Sequence, residues 1–287
     1  MKLFPVKHLL LALCTTLVLG LVGCGDSGGD IVDFGNTQVN PQGGQTAQQP
    51  VTTGPAPVLG FRVVETFPHQ TDAFTQGLLY ENGFLYESTG LNGASSLRQV
   101  DLTTGNVIRQ QDLANAFFAE GLASRNGTLY QLTLNSEQAF VWDRDTFLQT
   151  TVLTIPNPSW GLTLTDADVF AHSDGSSTIR FLHPQTLEVL SEIEVTDNGE
   201  SVNLLNELEF INGLIYANRF TMDEVVAIDP ETGVIAFRID LSGIIDKEAN
   251  SLGANDVLNG IAFDALTGRM FITGKRWPFL YQVELVQ

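Results

Sequence analysis

Apolar and polar residues alternate in short segments along most of this chain, and turn-forming residues separate the segments. The first group comprises residues 78–80, 84–87, 97–102 and 107–112. The dipeptide Asn82-Gly83 between its first two segments is typical of a tight hairpin. The region has no helical period in its apolar residues, so the pattern predicts an all-β fold with four short strands per group.

The same kind of group recurs along the chain, and each group opens with a related motif at intervals of 40 to 53 residues. The five motifs are Gln76-Gly77-Leu78, Glu120-Gly121-Leu122, Trp160-Gly161-Leu162, Asn206-Glu207-Leu208 and Asn259-Gly260-Ile261. A period of this length with four strands per unit predicts a five-bladed β-propeller. The last group is one strand short, and we expect residues 61–67 to supply that strand and close the last blade.

Residues 1–23 have the composition of a secretory signal peptide. Lys2 and Lys7 precede an apolar stretch over residues 9–22, which is short for a membrane-spanning helix of about 20 residues. The stretch ends at a cysteine, Cys24, in a context that resembles a bacterial lipoprotein signal, with Cys24 as the lipidated residue. An ordinary signal peptide with an incidental cysteine is the alternative.

Residues 24–58 are rich in Gly, Gln, Thr, Pro and Ser and contain little that could be buried. Such a composition cannot offset the entropy of ordering, so it predicts a flexible linker. Residues 59–287 then form the propeller domain. A lipid anchor followed by a tether predicts a protein of the bacterial cell envelope, attached to a membrane on the periplasmic or cell-surface side.

The charge of the chain is strongly acidic, with 33 Asp and Glu residues against 14 Lys and Arg residues and a net charge of −19. This balance argues against nucleic acid as a partner. Both cysteines, Cys14 and Cys24, lie at the N-terminal end, so the domain should contain no disulfide bond. We expect it to be a monomer.

The first residue of each motif varies, while the residues after it are more uniform. In a propeller the innermost strands surround one axis, so these first residues should point towards a common channel: Gln76, Glu120, Trp160, Asn206 and Asn259. Aligning the second strands gives a second predicted ring: Gly90, Leu134, Asp174, Phe220 and Lys275. Two rings of dissimilar residues at one mouth predict a binding or catalytic site.

The motifs resemble those of plant-type glutaminyl-peptide cyclotransferases, over nearly all of residues 60–287. The residues that carry the resemblance are Phe74 to Leu78, Phe118 to Leu122, Trp160 to Leu162, Leu205 to Glu209 and Gly274 to Pro278. The resemblance implies a five-bladed propeller that converts the N-terminal glutamine of peptides or proteins into pyroglutamate and releases ammonia. It implies no catalytic metal, although a structural calcium ion is compatible with it.

The family's site residues carry over at Phe74, Gln76, Phe118, Glu120, Trp160, Asn206 and Lys275. Two positions of the second ring depart from the family, which usually has tryptophan where this chain has Leu134 and Phe220. The polar set is therefore complete and the wall of the pocket is changed. We expect this difference to affect substrate affinity more than chemistry.

Cyclisation requires the substrate amine to lose a proton and the leaving nitrogen to gain one. A single carboxylate can do both, and Glu120, beside Phe118, is the predicted acid and base. Lys275 is predicted to stabilise the oxyanion, and Asn206 is the third predicted catalytic residue. The ordinary alternatives are a solvated or paired glutamate for Glu120 and a surface lysine for Lys275. For Asn206 the alternative is hydrogen bonding that holds adjacent strands together.

The remaining predicted site residues would bind substrate. Gln76 can donate and accept hydrogen bonds, with hydrogen bonding that holds adjacent strands together as the alternative, and Asn259 could either bind substrate or bridge strands. Trp160 and Phe220 could form an apolar slot for the glutamine methylenes, with a core role as the alternative. Asp174 could belong only to a turn, and we expect Glu207 and Glu209 to be structural.

Two other classes of function fit part of the pattern. Oxygen donors around one channel also describe a calcium-dependent propeller lactonase or esterase, with Glu120, Asn206, Asn259 and Asp174 as ligands. A non-catalytic binding propeller is the second alternative, since propellers often serve as scaffolds. His69, His172 and His183 have no ligand-like spacing, so no zinc site is predicted.

Overall fold

A computed structural model describes residues 54–287, in which strands are joined by turns and loops and no helix occurs. The all-β prediction is confirmed. The predicted signal peptide, the lipidation site at Cys24 and most of the predicted linker lie outside the described residues. Within the described range, no helix could cross a membrane.

Most strands form four-stranded antiparallel units. The chain begins with β1 (Val58–Pro68), followed by a first unit of β2 (Thr75–Glu81), β3 (Phe84–Thr89), β4 (Ser96–Asp101) and β5 (Val107–Asp112). The second unit is β6 (Ala119–Arg125), β7 (Thr128–Thr133), β8 (Gln138–Asp143) and β9 (Gln149–Thr154). The third is β10 (Leu162–Leu164), β11 (Phe170–His172), β12 (Thr178–Leu182) and β13 (Val189–Glu194).

A short hairpin of β14 (Thr196–Asp197) and β15 (Glu200–Ser201) leads into the second half of the fold. The fourth unit is β16 (Leu205–Ile211), β17 (Leu214–Arg219), β18 (Glu224–Ile228) and β19 (Ile235–Asp240). The fifth is β20 (Leu258–Asp264), β21 (Arg269–Gly274), β22 (Phe279–Val286) and β1. The consecutive strands of each repeat are thus neighbours in a sheet.

Strand β1 does more than complete the last unit. It pairs antiparallel with β22 from Gly60 to Pro68, as the sequence predicts, and its first residues, Val58 and Leu59, pair in parallel with β19. Just before β1, Ala56 N–H donates a hydrogen bond to Asp197 Oδ1 at 2.7 Å. The parallel pairing joins the fourth and fifth units into one eight-stranded sheet, and the count of five separate blades stays a prediction from the repeat.

The first strands of the units contact one another in a closed order. A side chain on Gly77 would collide with the backbone of Leu122, and one on Gly121 would collide with the backbone of Gly161. Glycine at these positions therefore permits the close approach of neighbouring inner strands. The fourth unit has Glu207 in the equivalent position, and its carboxylate accepts hydrogen bonds from Leu78 N–H at 3.3 Å and Ile261 N–H at 2.8 Å.

Apolar side chains fill the space between neighbouring units. Leu79 of the first unit belongs to the same buried cluster as Leu122 and Trp142 of the second. Phe271 of the last unit packs in a cluster with Leu78 of the first, which closes the ring. Burial of such side chains contributes about 1.5–3 kcal/mol each, so the core holds the inner strands, and the residues at their ends, in fixed positions.

Candidate active site

β-Bulges determine the direction in which the side chains of the variable motif residues point. The strand registers slip between Thr75 and Gly77, Ala119 and Leu122, Leu205 and Leu208, and Leu258 and Ile261. Each slip contains one of the variable residues: Gln76, Glu120, Asn206 and Asn259. A bulge leaves a residue out of the regular ladder and redirects its side chain, and bulges are common beside active sites. The bulge explains why one position of the repeat can carry different chemistry in each unit.

One cavity of about 230 Å³ opens at these bulges and brings most of the predicted residues together. Its lining consists of Phe74, Gln76, Phe118, Glu120, Leu134, Trp160, Asn206, Asn255, Phe220 and Lys275. Half of these residues are aromatic or aliphatic, and the polar half includes one carboxyl group and one amine. The geometry is that of a pocket that would desolvate a small polar group and present two ionisable side chains to it.

Glu120 lies at the start of β6 and is only 3% exposed. Gln76 Nε2 donates a hydrogen bond of 2.9 Å to Glu120 Oε1. Burial raises the pKa of the Glu120 carboxyl well above its usual range, and the nearby charge of Lys275 opposes part of this rise. A carboxyl whose pKa is shifted towards neutrality can both accept and return a proton near physiological pH.

Lys275 directly follows β21 and is also only 3% exposed. Its Nζ lies 5.0 Å from the ring centroid of Phe74 and 5.0 Å from that of Phe220. Burial lowers the pKa of the Lys275 ammonium to about 8, although the charge of Glu120 acts to raise it. The two aromatic rings stabilise the cation in a site where, among the described residues, no carboxylate lies within 4.0 Å.

Backbone hydrogen bonds fix the segment that carries Lys275. Lys275 N–H donates to Val257 O at 2.9 Å, and Arg276 N–H donates to Ala73 O at 2.7 Å. His69 Nδ1 lies 2.7 Å from Trp277 O, and its Nε2 lies 2.9 Å from the carboxylate of Glu87. Because a carbonyl oxygen can only accept, Nδ1 donates to it, and the ring links this segment to the first unit.

Asn206 contributes an unsatisfied polar atom. It is buried at the start of β16, and its Oδ1 has no hydrogen-bond partner among the described residues. Buried polar atoms in folded proteins are nearly always paired, so this unpaired oxygen shows that the fold does not use the whole Asn206 amide. The side chain lines the cavity, where an amide can form a hydrogen bond with a bound polar group.

Aromatic rings form the walls of the cavity. Trp160 and Phe220 meet edge to face with centroids 5.5 Å apart, and Phe74 and Phe118 do so at 6.3 Å. Trp160 can lie there because a side chain at Gly175 would collide with its indole ring. The walls would exclude water and contact methylene groups of a ligand.

Some predicted residues lie elsewhere. Asn259 does not line the cavity; its Nδ2 donates to Thr75 O at 3.0 Å and to Gln76 Oε1 at 3.1 Å. Of the second ring, Leu134, Phe220 and Lys275 reach the cavity. Asp174 forms a turn with Ser176 and an ion pair with Arg180, and Gly90 packs against Phe118.

Asn255 lines the cavity and was not anticipated from the sequence. It lies in the loop between β19 and β20, outside the four-strand pattern of the repeat. The only available signal was the interval of 53 residues before the last motif, the longest of the set. Long loops beside a ring of strand ends often complete a site, so this interval indicated an insertion but not which residue would matter.

The oxygen donors of the calcium alternative do not converge. Glu120 and Asn206 reach the cavity, whereas Asp174 and Asn259 do not. Among residues 54–287, no group of three or more His, Cys, Asp or Glu side chains is arranged to hold a metal ion. The predictions about metals remain predictions.

Comparisons with known proteins agree with the resemblance noted from the motifs. A model of the glutamine cyclotransferase family matches residues 38–285. The chain is 42% identical to an Arabidopsis thaliana glutaminyl-peptide cyclotransferase over 231 residues, which cover 78% of this chain and 71% of the relative. It is also similar to the crystal structure of Myxococcus xanthus glutaminyl cyclase, with a TM-score of 0.75 and 35% identity, covering 80% of this chain and 98% of that one.

Proposed function

Because the chain belongs to the glutamine cyclotransferase family, we propose that it converts the N-terminal glutamine of peptides or proteins into pyroglutamate. A bond would form between the substrate α-nitrogen and its side-chain carbonyl carbon, and the bond from that carbon to the amide nitrogen would break. The γ-acyl group thus passes from ammonia to the α-amine, which makes the enzyme an acyltransferase. The observation that supports this best is that Glu120 and Lys275, both buried, line the same cavity.

The cavity would first hold the glutamine side chain folded back towards its own amine. Ring closure is intramolecular, so positioning the two reacting groups supplies much of the rate. Trp160, Phe118 and Phe220 would contact the methylenes and exclude water from the reacting atoms. Leu134 and Phe220 give a smaller apolar wall than the tryptophans that the family resemblance implies, which favours weaker ground-state binding.

Glu120 would carry the proton between the two nitrogens. As the α-amine attacks, its nitrogen becomes acidic and gives a proton to the Glu120 carboxylate. The carboxyl then returns this proton to the leaving nitrogen, which departs as ammonia, and Glu120 is restored. The raised pKa of Glu120 brings it closer to the pKa of an α-amine, about 7.7–8, so neither transfer is strongly uphill.

Lys275 and Asn206 would stabilise the tetrahedral intermediate and hold the substrate amide. The carbonyl oxygen becomes negatively charged only during the reaction, and the Lys275 cation would favour that state over the ground state. Asn206, which lines the cavity, would form a hydrogen bond with the substrate amide. Of the remaining family residues, Gln76 would position Glu120 through its hydrogen bond, and Phe74 would position Lys275 through its ring.

The setting of the reaction is part of the proposal. We expect no metal cofactor in catalysis, a lipid on Cys24, and attachment to a membrane of the cell envelope. The substrates would be secreted or envelope peptides with an exposed N-terminal glutamine.

The direct test is to incubate the purified protein with a glutaminyl dipeptide and to measure ammonia release together with pyroglutamyl product. We expect turnover that survives dialysis against a chelator. Glu120→Gln should abolish most of it, while Glu65→Gln, an exposed change on β1, provides a matched control that should retain it. Binding without turnover would support the scaffold alternative, and reversible loss of activity on chelation would support a metal-dependent site.

A further inference from the structure

Glu120 does not hold its position alone, because a chain of side-chain amides extends behind it. Asn259 Nδ2 donates to Gln76 Oε1 at 3.1 Å, and Gln76 Nε2 donates to Glu120 Oε1 at 2.9 Å. The three residues come from three units of the fold, on β20, β2 and β6. Asn259 and Gln76 are both buried, and neither contributes a charge.

The direction of this chain is fixed at its far end by a backbone carbonyl. Asn259 Nδ2 also lies 3.0 Å from Thr75 O, and a carbonyl oxygen can only accept a hydrogen bond. Turning the Asn259 amide over would place its oxygen against Thr75 O, which is repulsive. Asn259 must therefore present N–H to Gln76, so Gln76 must use its oxygen there and present its own N–H to Glu120.

Asn259 is also held from its other side. Gly260 N–H, the next backbone group in the bulge of β20, donates to Asn218 Oδ1 at 2.9 Å. Gly260 has a φ of 121°, which favours glycine, and a side chain there would meet Thr273 and Thr75 closely. These contacts fix the backbone conformation of the bulge, and this conformation directs the Asn259 side chain towards Thr75 and Gln76.

On this basis, and resting on the proposed function, we propose that Asn259 is a positioning residue that acts through Gln76 to make Glu120 Oε1 a permanent hydrogen-bond acceptor. The catalytic proton then resides on Oε2 alone. Oε2 has no hydrogen-bond partner among the described residues, and Glu120 lines the cavity, so the transferring oxygen is the one that substrate can reach. A symmetric carboxyl could accept the proton on the oxygen turned away from the leaving nitrogen, and the amide chain prevents this.

The relay predicts a specific effect on the pH dependence. The Gln76 hydrogen bond is stronger to the carboxylate than to the carbonyl oxygen of the protonated acid, so its loss should shift the acidic limb of the kcat profile to higher pH. The difference in strength between a charged and a neutral hydrogen bond corresponds to a pKa shift of roughly one unit. Asn259→Asp, which keeps the shape but removes the obligatory N–H donor, should produce this shift and lower kcat at neutral pH by up to about tenfold.

A double-mutant cycle separates the relay from a general structural role. Gln76→Met should cause the same shift of the acidic limb, and adding Asn259→Ala to it should change the limb no further, because Asn259 acts only through Gln76. Asn218→Asp is the matched control: it adds a carboxylate beside the same bulge outside the relay and should leave the acidic limb in place. Equal shifts in Asn218→Asp and Asn259→Asp, or additive shifts in the double variant, would overturn the proposal.

A readout without turnover keeps this test apart from the proposed function. The Glu120 carboxyl can be followed by infrared or carbon NMR titration of the full-length protein, with Glu120→Gln to assign its signal. We expect Asn259→Ala, and Asn259→Asp if it folds, to raise the midpoint of this titration even if no substrate is turned over. An unchanged Glu120 midpoint in a folded Asn259→Ala protein would show that Asn259 does not act on Glu120.

Discussion

The substitution Glu120→Gln separates the chemistry of this site from its architecture. Glutamine has nearly the shape of glutamate, and its side-chain oxygen can still accept the hydrogen bond of 2.9 Å from Gln76. What disappears is the ability to take and return a proton. Proton transfer by a positioned group is typically worth 10²–10⁴-fold, so we expect kcat to fall by about that factor with a much smaller change in KM.

Although Glu120→Gln lowers activity, it should increase the stability of the folded protein at alkaline pH. The folded-state pKa of Glu120 is raised above its unfolded value, so the folded protein binds this proton more tightly. The contribution of Glu120 to stability is therefore fully present below the unfolded pKa and is lost as the pH rises through the folded one. Glu120→Gln removes that loss, so its melting temperature should match the wild type at acidic pH and exceed it at alkaline pH.

Two measurements test this reasoning together. Initial rates of ammonia release between pH 5 and about 9 give kcat, KM and the limbs of the profile, and thermal unfolding over the same range gives the stability difference. The acidic limb should be missing from any residual Glu120→Gln activity. Lys275→Met should lower kcat and keep that limb at a higher pH, because the Lys275 charge no longer lowers the pKa of Glu120. Near-normal turnover with an unaltered pH profile in Glu120→Gln would remove Glu120 from the proton-transfer role.

Three further predictions concern the walls, the cation and the anchor. Leu134→Trp should lower KM with little change in kcat, since it adds contact with the bound side chain; a large change in kcat at constant KM would contradict this. Phe220→Trp should also lower KM with little change in kcat. Because tryptophan stabilises a cation better than phenylalanine, it should in addition raise the pKa of Lys275, so the fall in kcat at alkaline pH should move to higher pH. Lys275 has a pKa of about 8 and loses its charge as the pH rises through that value, so kcat should decline there. Lys275→Arg, whose charge persists, should retain activity without this decline, and a decline at the same pH in both proteins would assign it to another group. Cys24→Ser should release the protein from membranes on fractionation, and unchanged membrane association would refute the lipoprotein prediction.

The sequence by itself determined the repeat and much of the site. Alternating apolar residues and Asn-Gly turns encode short antiparallel strands locally, because both depend on neighbouring residues in the chain. The repeat then shows which positions share a packing role and which, such as Glu120 and Asn206, are released from it. Eight of the nine predicted catalytic and substrate-binding residues line one cavity for this reason, and Asn259 is the exception.

Only the tertiary structure decided the contacts made between units. The parallel pairing of β1 with β19 depends on where the ring closes, and Asn255 reaches the cavity from a loop that follows no repeat. Asn259 and Gln76 occupy equivalent positions in the repeat. Only the structure shows that the Asn259 amide lies behind Gln76 and donates to both the Gln76 side chain and the Thr75 carbonyl. Burial likewise sets the pKa of Lys275 to about 8, because the free energy of a charge depends on what surrounds it in space and not on its neighbours in the chain.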